Sequence, residues 1–250
     1  MSMKPKVVIV AGGLAKRMRP MTEDIPKCLV ELDGKPLIQH QIEFFRNMGY
    51  KDFVFCVAHL ADKVKEYFKD GSSFGVNIEY SEEGDRLLGT AGAVKLIQPK
   101  VRDTIIIYYG DNLTTENFDD VLEFHRKVGS DFTIVVRELP AEHISSSIIT
   151  MDRNKRIKVF MEKPSPEEFK KFKDEKIYIN NGIYVMESKV FEEIPENGKC
   201  DFAKDVIPKL LEKKMRLYGY ASNKFFREMG RVEKYEKFKL EIAKKGSVMG

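Results

Sequence analysis

The chain has 250 residues, enough to bury the core of one large α/β domain, and 42% of them are hydrophobic, as in ordinary folded proteins. Its formal net charge is only +4, with 43 basic and 39 acidic residues interspersed, so we expect no nucleic-acid partner. No apolar run approaches the roughly 18 residues that a membrane span requires, so we expect no membrane partner either.

The N-terminus and the cysteines indicate a compartment. Residues 1–4 lack the apolar stretch of a signal peptide. The three cysteines, Cys28, Cys56 and Cys200, are odd in number and far apart, which is typical of reduced thiols and not of a disulfide framework or a zinc site. We therefore predict a cytoplasmic protein.

The first half of the chain alternates short apolar strands with amphipathic helices. Strands are predicted at residues 7–10, 29–32, 53–57, 76–81, 104–109 and 132–136. Helices are predicted at residues 36–48, 61–68, 89–98 and 117–128. This alternation predicts βαβ units and a largely parallel sheet, in which ligands bind beyond the carboxyl ends of the strands.

The second half has a different pattern. Strands are predicted at residues 146–151, 157–161, 178–186, 216–220 and 225–229. Helices are predicted at residues 167–173, within 200–214 with a break at Pro208, and at 232–245. No composition boundary is visible, so we predict a single domain over residues 1–250, with the second half covering the rim of the first as a lid.

A loop with glycines and cations follows the first strand. Gly12 and Gly13 permit a sharp turn and close approach of the backbone to a ligand, and Lys16, Arg17 and Lys27 follow. Backbone N–H groups and cations together suit a polyphosphate. The simpler alternative is a glycine turn with solvated lysines. The loop matches neither G-x-x-x-x-G-K-[ST] nor G-x-G-x-x-G.

Residues 12–27 resemble the signature of the sugar-1-phosphate nucleotidylyltransferases, G-G-x-G-x-R-L-x-P-L-T-x-x-x-P-K. The resemblance extends over residues 6–235 through four further motifs: Gly89-Thr90-Ala91-Gly92-Ala93, Gly110-Asp111, Glu162-Lys163-Pro164 and Asn180-Asn181-Gly182-Ile183-Tyr184. It implies a three-layer α/β/α fold with a mixed, mostly parallel central sheet. It also implies the reaction of an NTP with a sugar 1-phosphate, best guessed as mannose or glucose 1-phosphate, to give an NDP-sugar and pyrophosphate.

The resemblance also assigns roles to residues. The N-terminal half would bind the nucleotide, and residues from about 140 to 250 would bind the sugar phosphate. The catalytic cations would be Arg17, Lys27 and Lys163. The nucleotide would be bound by Ala11, Gly12, Gly13, Leu14, Gly89 and Thr90, the last two at a helix N-terminus that we expect to offer free N–H groups. The sugar phosphate would be bound by Ser147, Glu162, Lys163, Asn180 and Gly182. Mg²⁺ would be held by Asp111 and Glu228.

Four positions depart from the family pattern: Ala15 and Ser147 replace glycines, Glu228 replaces an aspartate, and Arg231 replaces a small or polar residue. Position 113 is Leu, so the Asp-x-Asp motif of metal-dependent glycosyltransferases is absent. The departures leave two alternatives open. One is transfer to a non-sugar phosphate, such as phosphocholine or an inositol phosphate, and the other is a non-catalytic nucleotide-sugar sensor. Exposed apolar helix faces could serve a homo-oligomer, although burial in the core is the expected use.

Overall fold

The computed structural model describes residues 4–84, 86–138, 147–172 and 174–245. The strands are β1 Val7–Val10, β2 Glu31–Leu32, β3 Lys35–Pro36, β4 Asp52–Val57, β5 Asn77–Glu82, β6 Ile105–Tyr109, β7 Asn112–Thr114, β8 Phe132–Glu138, β9 Ile148–Met151, β10 Ile157–Met161, β11 Tyr178–Met186, β12 Leu217–Ala221 and β13 Phe226–Glu228. The α-helices are α1 Leu37–Asn47, α2 Ala61–Phe68, α3 Gly89–Lys95, α4 Phe118–Lys127, α5 Pro166–Lys170, α6 Ile207–Glu212 and α7 Val232–Lys245.

Most predicted elements are confirmed, and five have the predicted bounds: β1, β10, β11, α2 and α7. The predicted helix 89–98 ends early, at Lys95, because the ring of Pro99 clashes with the carbonyl four residues before it. Residues Gln98–Lys100 form a 3₁₀ turn instead. In the predicted helix around Pro208, a π turn at Phe202–Val206 precedes α6, so that this proline falls in the first turn of α6, where its missing N–H costs nothing.

Further differences concern the predicted elements at residues 29–32, 146–151 and 167–173. The predicted strand 29–32 is a 3₁₀ turn, Lys27–Leu29, followed by the two-residue β2. The predicted strand 146–151 begins at Ile148, and its first residue lies outside the described residues. The predicted helix 167–173 is α5, held at its start by a capping box between Ser165 and Glu168, and residue 173 lies outside the described residues.

The described chain divides into two compact units. Unit 1 comprises residues 1–87, 108–116 and 224–250, and unit 2 comprises residues 88–107 and 117–223. Strand β6 contributes its first three residues to unit 2 and its last two to unit 1. In unit 1 the strand order is β6-β1-β4-β5, with β1, β4 and β5 parallel and in register. The antiparallel ribbons β2–β3 and β7–β13 also belong to unit 1.

Unit 2 has the order β10-β9-β11-β6, and β8 lies between β11 and β12. The pairs β9–β10, β9–β11 and β8–β11 are antiparallel, whereas β8–β12 is parallel. The predicted class, an α/β fold with a mixed sheet and helices on both sides, is therefore confirmed. Its parallel character comes mainly from unit 1.

The core of each unit is apolar and tightly packed. In unit 1 the rings of Tyr50, Phe53 and Tyr108 meet Phe45 edge-to-face, with centroids 5.3–6.1 Å apart. A second cluster in unit 1 seats helix α7 through the buried residues Met18, Val30, Leu32, Leu37, Leu113, Met229, Tyr235, Phe238 and Ile242. In unit 2, Phe132, Tyr184 and Phe202 form a ring cluster.

Within the described ranges, the helices are all too short or too polar to cross a membrane. The three cysteines are free thiols, and all three are buried.

Candidate active site

Two glycines with different surroundings shape the loop after β1. A Cβ on the buried Gly12 would lie 3.1 Å from Cβ of Ala58 and would run into the carboxylate of Glu83. Gly13 is exposed, with open space where its Cβ would stand. At Gly12 the loop is therefore packed closely against the chain after β4, with little room for a side chain. Gly13 leaves room for a ligand to approach the backbone.

The residues flanking these glycines fix the course of the loop. Ala11 donates its N–H to Cys56 O at 2.9 Å, which continues the β1–β4 ladder, and Leu14 is half-buried. Ala15 has φ of 48°, in the left-handed region that glycine occupies most readily. Its carbonyl accepts from the N–H of Met18 at 2.8 Å and from the hydroxyl of Thr22 at 3.0 Å. The backbone conformation explains why the family pattern has glycine at this position.

Two 3₁₀ turns carry the predicted cations of the loop. Arg17 lies on Lys16–Met18, where Met18 is buried and anchors the turn while Arg17 is exposed. Lys27 opens the turn Lys27–Leu29 and is followed by the buried Cys28. Burial raises the pKa of the Cys28 thiol to about 12, so this thiol stays protonated and is no nucleophile at neutral pH.

Lys27 forms an ion pair with Asp111, the carboxylate that follows β6. Their side chains are only 17% and 23% exposed, so the pair is largely shielded from water. The position of Asp111 is fixed on both sides. The N–H of Gly110 donates to Val10 O at 2.9 Å, and the carbonyl of Asp111 accepts from the N–H of Met229 at 2.7 Å. The 11–27 loop and Gly110-Asp111, which follow β1 and β6, are thus in direct contact.

The β7–β13 ribbon brings the second predicted metal ligand to the same place in unit 1. Glu228 pairs in register with Asn112, the residue after Asp111. Asp111, which directly precedes β7, therefore lies one residue along the chain from the partner of Glu228. β7 is absent from the sequence predictions, because a three-residue strand beside a glycine turn has too little local pattern to be recognised.

Glu228 is held by contacts that the sequence does not reveal. One carboxylate oxygen, Oε2, pairs with the ammonium of Lys234. The other, Oε1, lies where a Cβ on Gly230 would stand, and Nη2 of Arg17 is 3.4 Å from that same point. Gly230, two residues after Glu228, thus makes room for the carboxylate, and Arg17 lies beside it.

The donor set fits Mg²⁺. Asp111 and Glu228 provide carboxylate oxygens, and Mg²⁺ typically takes one or two carboxylates together with waters and substrate phosphates. Among the described residues, no group of three or more His, Cys, Asp or Glu side chains could hold a metal by itself. A pair of carboxylates suits a metal that is shared with a phosphate ligand.

In unit 2, the start of α3 corrects one prediction. The expected free N–H groups of the Gly-Thr-Ala-Gly-Ala motif are already bonded. The carbonyl of Cys200 accepts from Ala91 N at 2.9 Å and from Gly92 N at 3.0 Å, and Asp201 Oδ1 accepts from Thr90 N at 3.2 Å. The residues before the π turn cap this helix, so the prediction that its N-terminus offers these N–H groups to a nucleotide is wrong.

Gly89 and Thr90 are both fixed by that cap. Gly89 has φ of 76°, and a Cβ on it would lie 2.6 Å from the carbonyl oxygen of Cys200. The hydroxyl of Thr90 lies 3.3 Å from Asp201 Oδ1 and accepts from the N–H of Phe202 at 3.0 Å. A side chain at position 89 is therefore excluded by the close approach of the backbone at Cys200. Asp201 is a residue that the sequence predictions missed, because nothing local connects positions 90 and 201.

Three predicted sugar-phosphate residues form one hydrogen-bonded group. Ser147 is buried, and its Oγ accepts from the N–H of Asn180 at 2.9 Å. The side chain of Asn180 accepts from Gly182 N at 2.8 Å and donates to the hydroxyl of Tyr184 at 2.8 Å. These bonds bridge the irregularity in the β8–β11 register between residues 180 and 184. Ser147, which stands where the family has glycine, thus uses its hydroxyl to bind the backbone of β11.

Glu162 and Lys163 follow β10. Burial raises the pKa of Glu162 above its usual value. The positive charges of Lys163 and Lys204 lower this pKa in part, and the negative charge of Asp201 raises it further. Lys163 is exposed and has φ of 52°, which is uncommon for a residue with a side chain and clusters at functional sites. Lys204, on the π turn, is a further cation near Glu162 that the sequence predictions missed.

The predicted site residues fall into two groups. Unit 1 contains Ala11, Gly12, Gly13, Leu14, Arg17, Lys27, Asp111 and Glu228. Unit 2 contains Gly89, Thr90, Ser147, Glu162, Lys163, Asn180 and Gly182. The roles that the resemblance assigns to these residues stay predictions.

Comparison with known proteins identifies similar chains. A family model described as nucleotidyl transferase matches residues 6–245. The chain is 34% identical over 242 residues to a UTP–glucose-1-phosphate uridylyltransferase from Synechocystis sp., covering 92% of this chain and 61% of that protein. It is 28% identical over 230 residues to a mannose-1-phosphate guanylyltransferase from Mycobacterium tuberculosis, covering 91% and 62%. The chain thus spans about three fifths of the length of these curated relatives.

A solved structure supports the fold. HddC from Yersinia pseudotuberculosis superposes with a TM-score of 0.79 at 23% identity, covering 96% of this chain and all of that one. At this identity the likeness concerns the fold alone.

Proposed function

The chain belongs to the nucleotidyl transferase family, and from that premise we propose that it transfers a nucleoside monophosphate from an NTP to a sugar 1-phosphate. The products are an NDP-sugar and pyrophosphate. Mannose or glucose 1-phosphate is the favoured acceptor. The relatives from Synechocystis sp. and Mycobacterium tuberculosis, which are named for glucose 1-phosphate and mannose 1-phosphate, match more than nine tenths of the chain. The observation that carries the proposal is the shielded Lys27–Asp111 pair beside the glycine loop of unit 1.

The proposed chemistry needs cations more than it needs a covalent nucleophile. The anionic sugar phosphate must attack an anionic α-phosphorus in line with the leaving pyrophosphate, so charge repulsion and alignment dominate the barrier. Under this proposal Arg17 neutralises the pyrophosphate, and Lys27 lies between the triphosphate and the attacking phosphate. The open backbone at Gly13 receives phosphate oxygens.

Asp111 and Glu228 are the residues that would hold Mg²⁺, which, when bound, supplies further neutralisation at the phosphate oxygens. In unit 2, Glu162 accepts hydrogen bonds from sugar hydroxyls, and Lys163 contacts the sugar phosphate. Asn180 and Gly182 provide the backbone beside the sugar. Gly89 and Thr90 hold the chain beside the nucleotide, through the cap made by residues 200–202.

We also propose that the protein acts in the cytoplasm. The support is its three free, buried cysteines, which suit a reducing compartment.

The proposal is tested by measuring pyrophosphate release in the presence of Mg²⁺. The assay covers the common NTPs against the 1-phosphates of mannose, glucose, galactose and N-acetylglucosamine, with choline and inositol phosphates added. We expect one NTP and one sugar phosphate to give turnover well above all other pairs. Turnover only with a choline or inositol phosphate would replace the sugar acceptor. No turnover at all, together with a rise in melting temperature on adding nucleotide, would indicate a binding protein and contradict the proposal.

A further inference from the structure

Both carboxylates proposed to hold the metal carry lysine partners in this structure. Asp111 pairs with Lys27, which is part of the proposed chemistry. Glu228 pairs with Lys234, which no other part of the proposed site uses. Lys234 is the third residue of α7, six positions after Glu228 and beyond the turn at Gly230.

Helix stability does not explain a lysine at this position. Lys234 lies in the first turn of α7, where the helix dipole disfavours a cation. The next residue fixes this turn in place, because Tyr235 is buried and its hydroxyl donates to Glu31 O at 2.5 Å. The ammonium of Lys234 is therefore presented to Glu228 from a firmly seated helix.

The pair is also poised to open. The side chain of Lys234 is 51% exposed, so its ammonium can return to water at little cost. Glu228 is 32% exposed, and its other oxygen lies over Gly230 beside the cation Arg17. An incoming divalent cation would thus meet a carboxylate that is already neutralised by side chains.

We propose that Lys234 is a built-in competitor of the divalent metal, which must displace its ammonium from Glu228 before that carboxylate can bind. The free protein then binds metal weakly, and the metal enters with the triphosphate, whose own charge attracts both the cation and Lys27. This inference rests on the proposed function in taking Glu228 as a metal ligand and a triphosphate as the group that the metal enters with.

Direct Mn²⁺ binding, followed by electron paramagnetic resonance without nucleotide or sugar phosphate, tests this inference. We expect Lys234→Gln to tighten Mn²⁺ binding by up to about five-fold, the most that loss of a partly exposed ion pair allows. Lys234→Arg keeps the charge and should stay near the wild type. Lys237→Gln removes an exposed charge from the same helix, and we expect no tightening.

Equal Mn²⁺ affinity of the wild type and Lys234→Gln would overturn the inference, as would the absence of binding in both at millimolar Mn²⁺. Equal tightening by Lys237→Gln would also overturn it, because the effect would then be one of overall charge. The test is independent of turnover. A failed pyrophosphate assay would count against the proposed function, whereas unchanged Mn²⁺ binding would count against the role of Lys234.

Discussion

Ala15 shows how one residue can deviate from a backbone requirement. Its φ of 48° is a conformation that costs a residue with a Cβ about 1 kcal/mol relative to glycine. The loop keeps this conformation because the carbonyl of Ala15 accepts bonds from Met18 and Thr22. The departure at position 15 therefore lowers stability without redirecting the loop.

We expect Ala15→Gly to raise the free energy of unfolding by up to about 1 kcal/mol, less the greater entropy of glycine in the unfolded chain. Urea unfolding followed by circular dichroism measures this change. Gly12→Ala is the contrasting variant, because its Cβ would lie 3.1 Å from Cβ and 3.3 Å from N of Ala58, and we expect it to lower the free energy of unfolding. An Ala15→Gly variant less stable than the wild type by about 1 kcal/mol, the full entropic cost of glycine, would show that the left-handed conformation at residue 15 is not strained.

Glu162 should couple stability to pH. Burial raises its pKa in the folded state, so folding favours the protonated form, and this carboxyl costs stability as pH rises through its folded pKa. Glu162→Gln should therefore melt at a higher temperature than the wild type at pH 7, with the difference vanishing below about pH 4, where both states are protonated. A melting temperature below that of the wild type at pH 7 would contradict this assignment. Under the proposed function, the same variant should raise KM for the sugar phosphate.

At the scale of elements, a group of ion pairs in unit 2 links the start of β8 to two other segments. One segment leads into β12, and the other follows β11. Asp131 accepts from Nε and Nη2 of Arg216 at 3.0 and 2.7 Å and pairs with Lys189 at 2.7 Å. Burial by itself would raise the pKa of Asp131, but the hydrogen bonds from these two side chains and from the Arg216 N–H outweigh it and lower the pKa to about 2.

We expect Asp131→Asn to cost about 2 kcal/mol of stability at pH 7. The pKa is depressed, so this contribution is present above the usual aspartate value near 4 and is lost as pH falls through about 2. Urea unfolding at pH 7 and at pH 3 should show the loss shrinking with acidification. Asp103→Asn, an exposed aspartate of the same unit, is the control and should be near neutral. An equal loss for Asp131→Asn at both pH values would mean that charge is not the cause.

At the scale of the whole molecule, the sequence predicts the elements well because their signals are local. Apolar periodicity, glycines and prolines place the strands and helices, and α2, β11 and α7 have the predicted bounds. The contacts of the candidate site are different. Two of these contacts form only when the chain folds back on itself, and no sequence pattern predicts them. They are the ion pair of Lys234 with Glu228 and the hydrogen bond from Thr90 to Asp201.

The interleaving of the two units is equally invisible in the sequence. Residues 108–116 and 224–250 belong with the N-terminal segment, although no change in composition marks their ends. The division into a nucleotide-binding half and a sugar-phosphate-binding half stays a prediction. The family motifs found the residues of the candidate site, and the structure supplied their partners.

The measurement that tests the account most directly is the turnover of Lys27→Ala with the best NTP and sugar phosphate at saturating concentrations. Lys35→Ala is the matched control, since Lys35 is a half-exposed lysine of the same unit that pairs with Glu43. The account predicts that Lys27→Ala loses about 100-fold or more in kcat, as expected for one preorganised charge, while Lys35→Ala stays near the wild type. Near-normal turnover in Lys27→Ala would contradict the placement of the reaction at the 11–27 loop and Asp111.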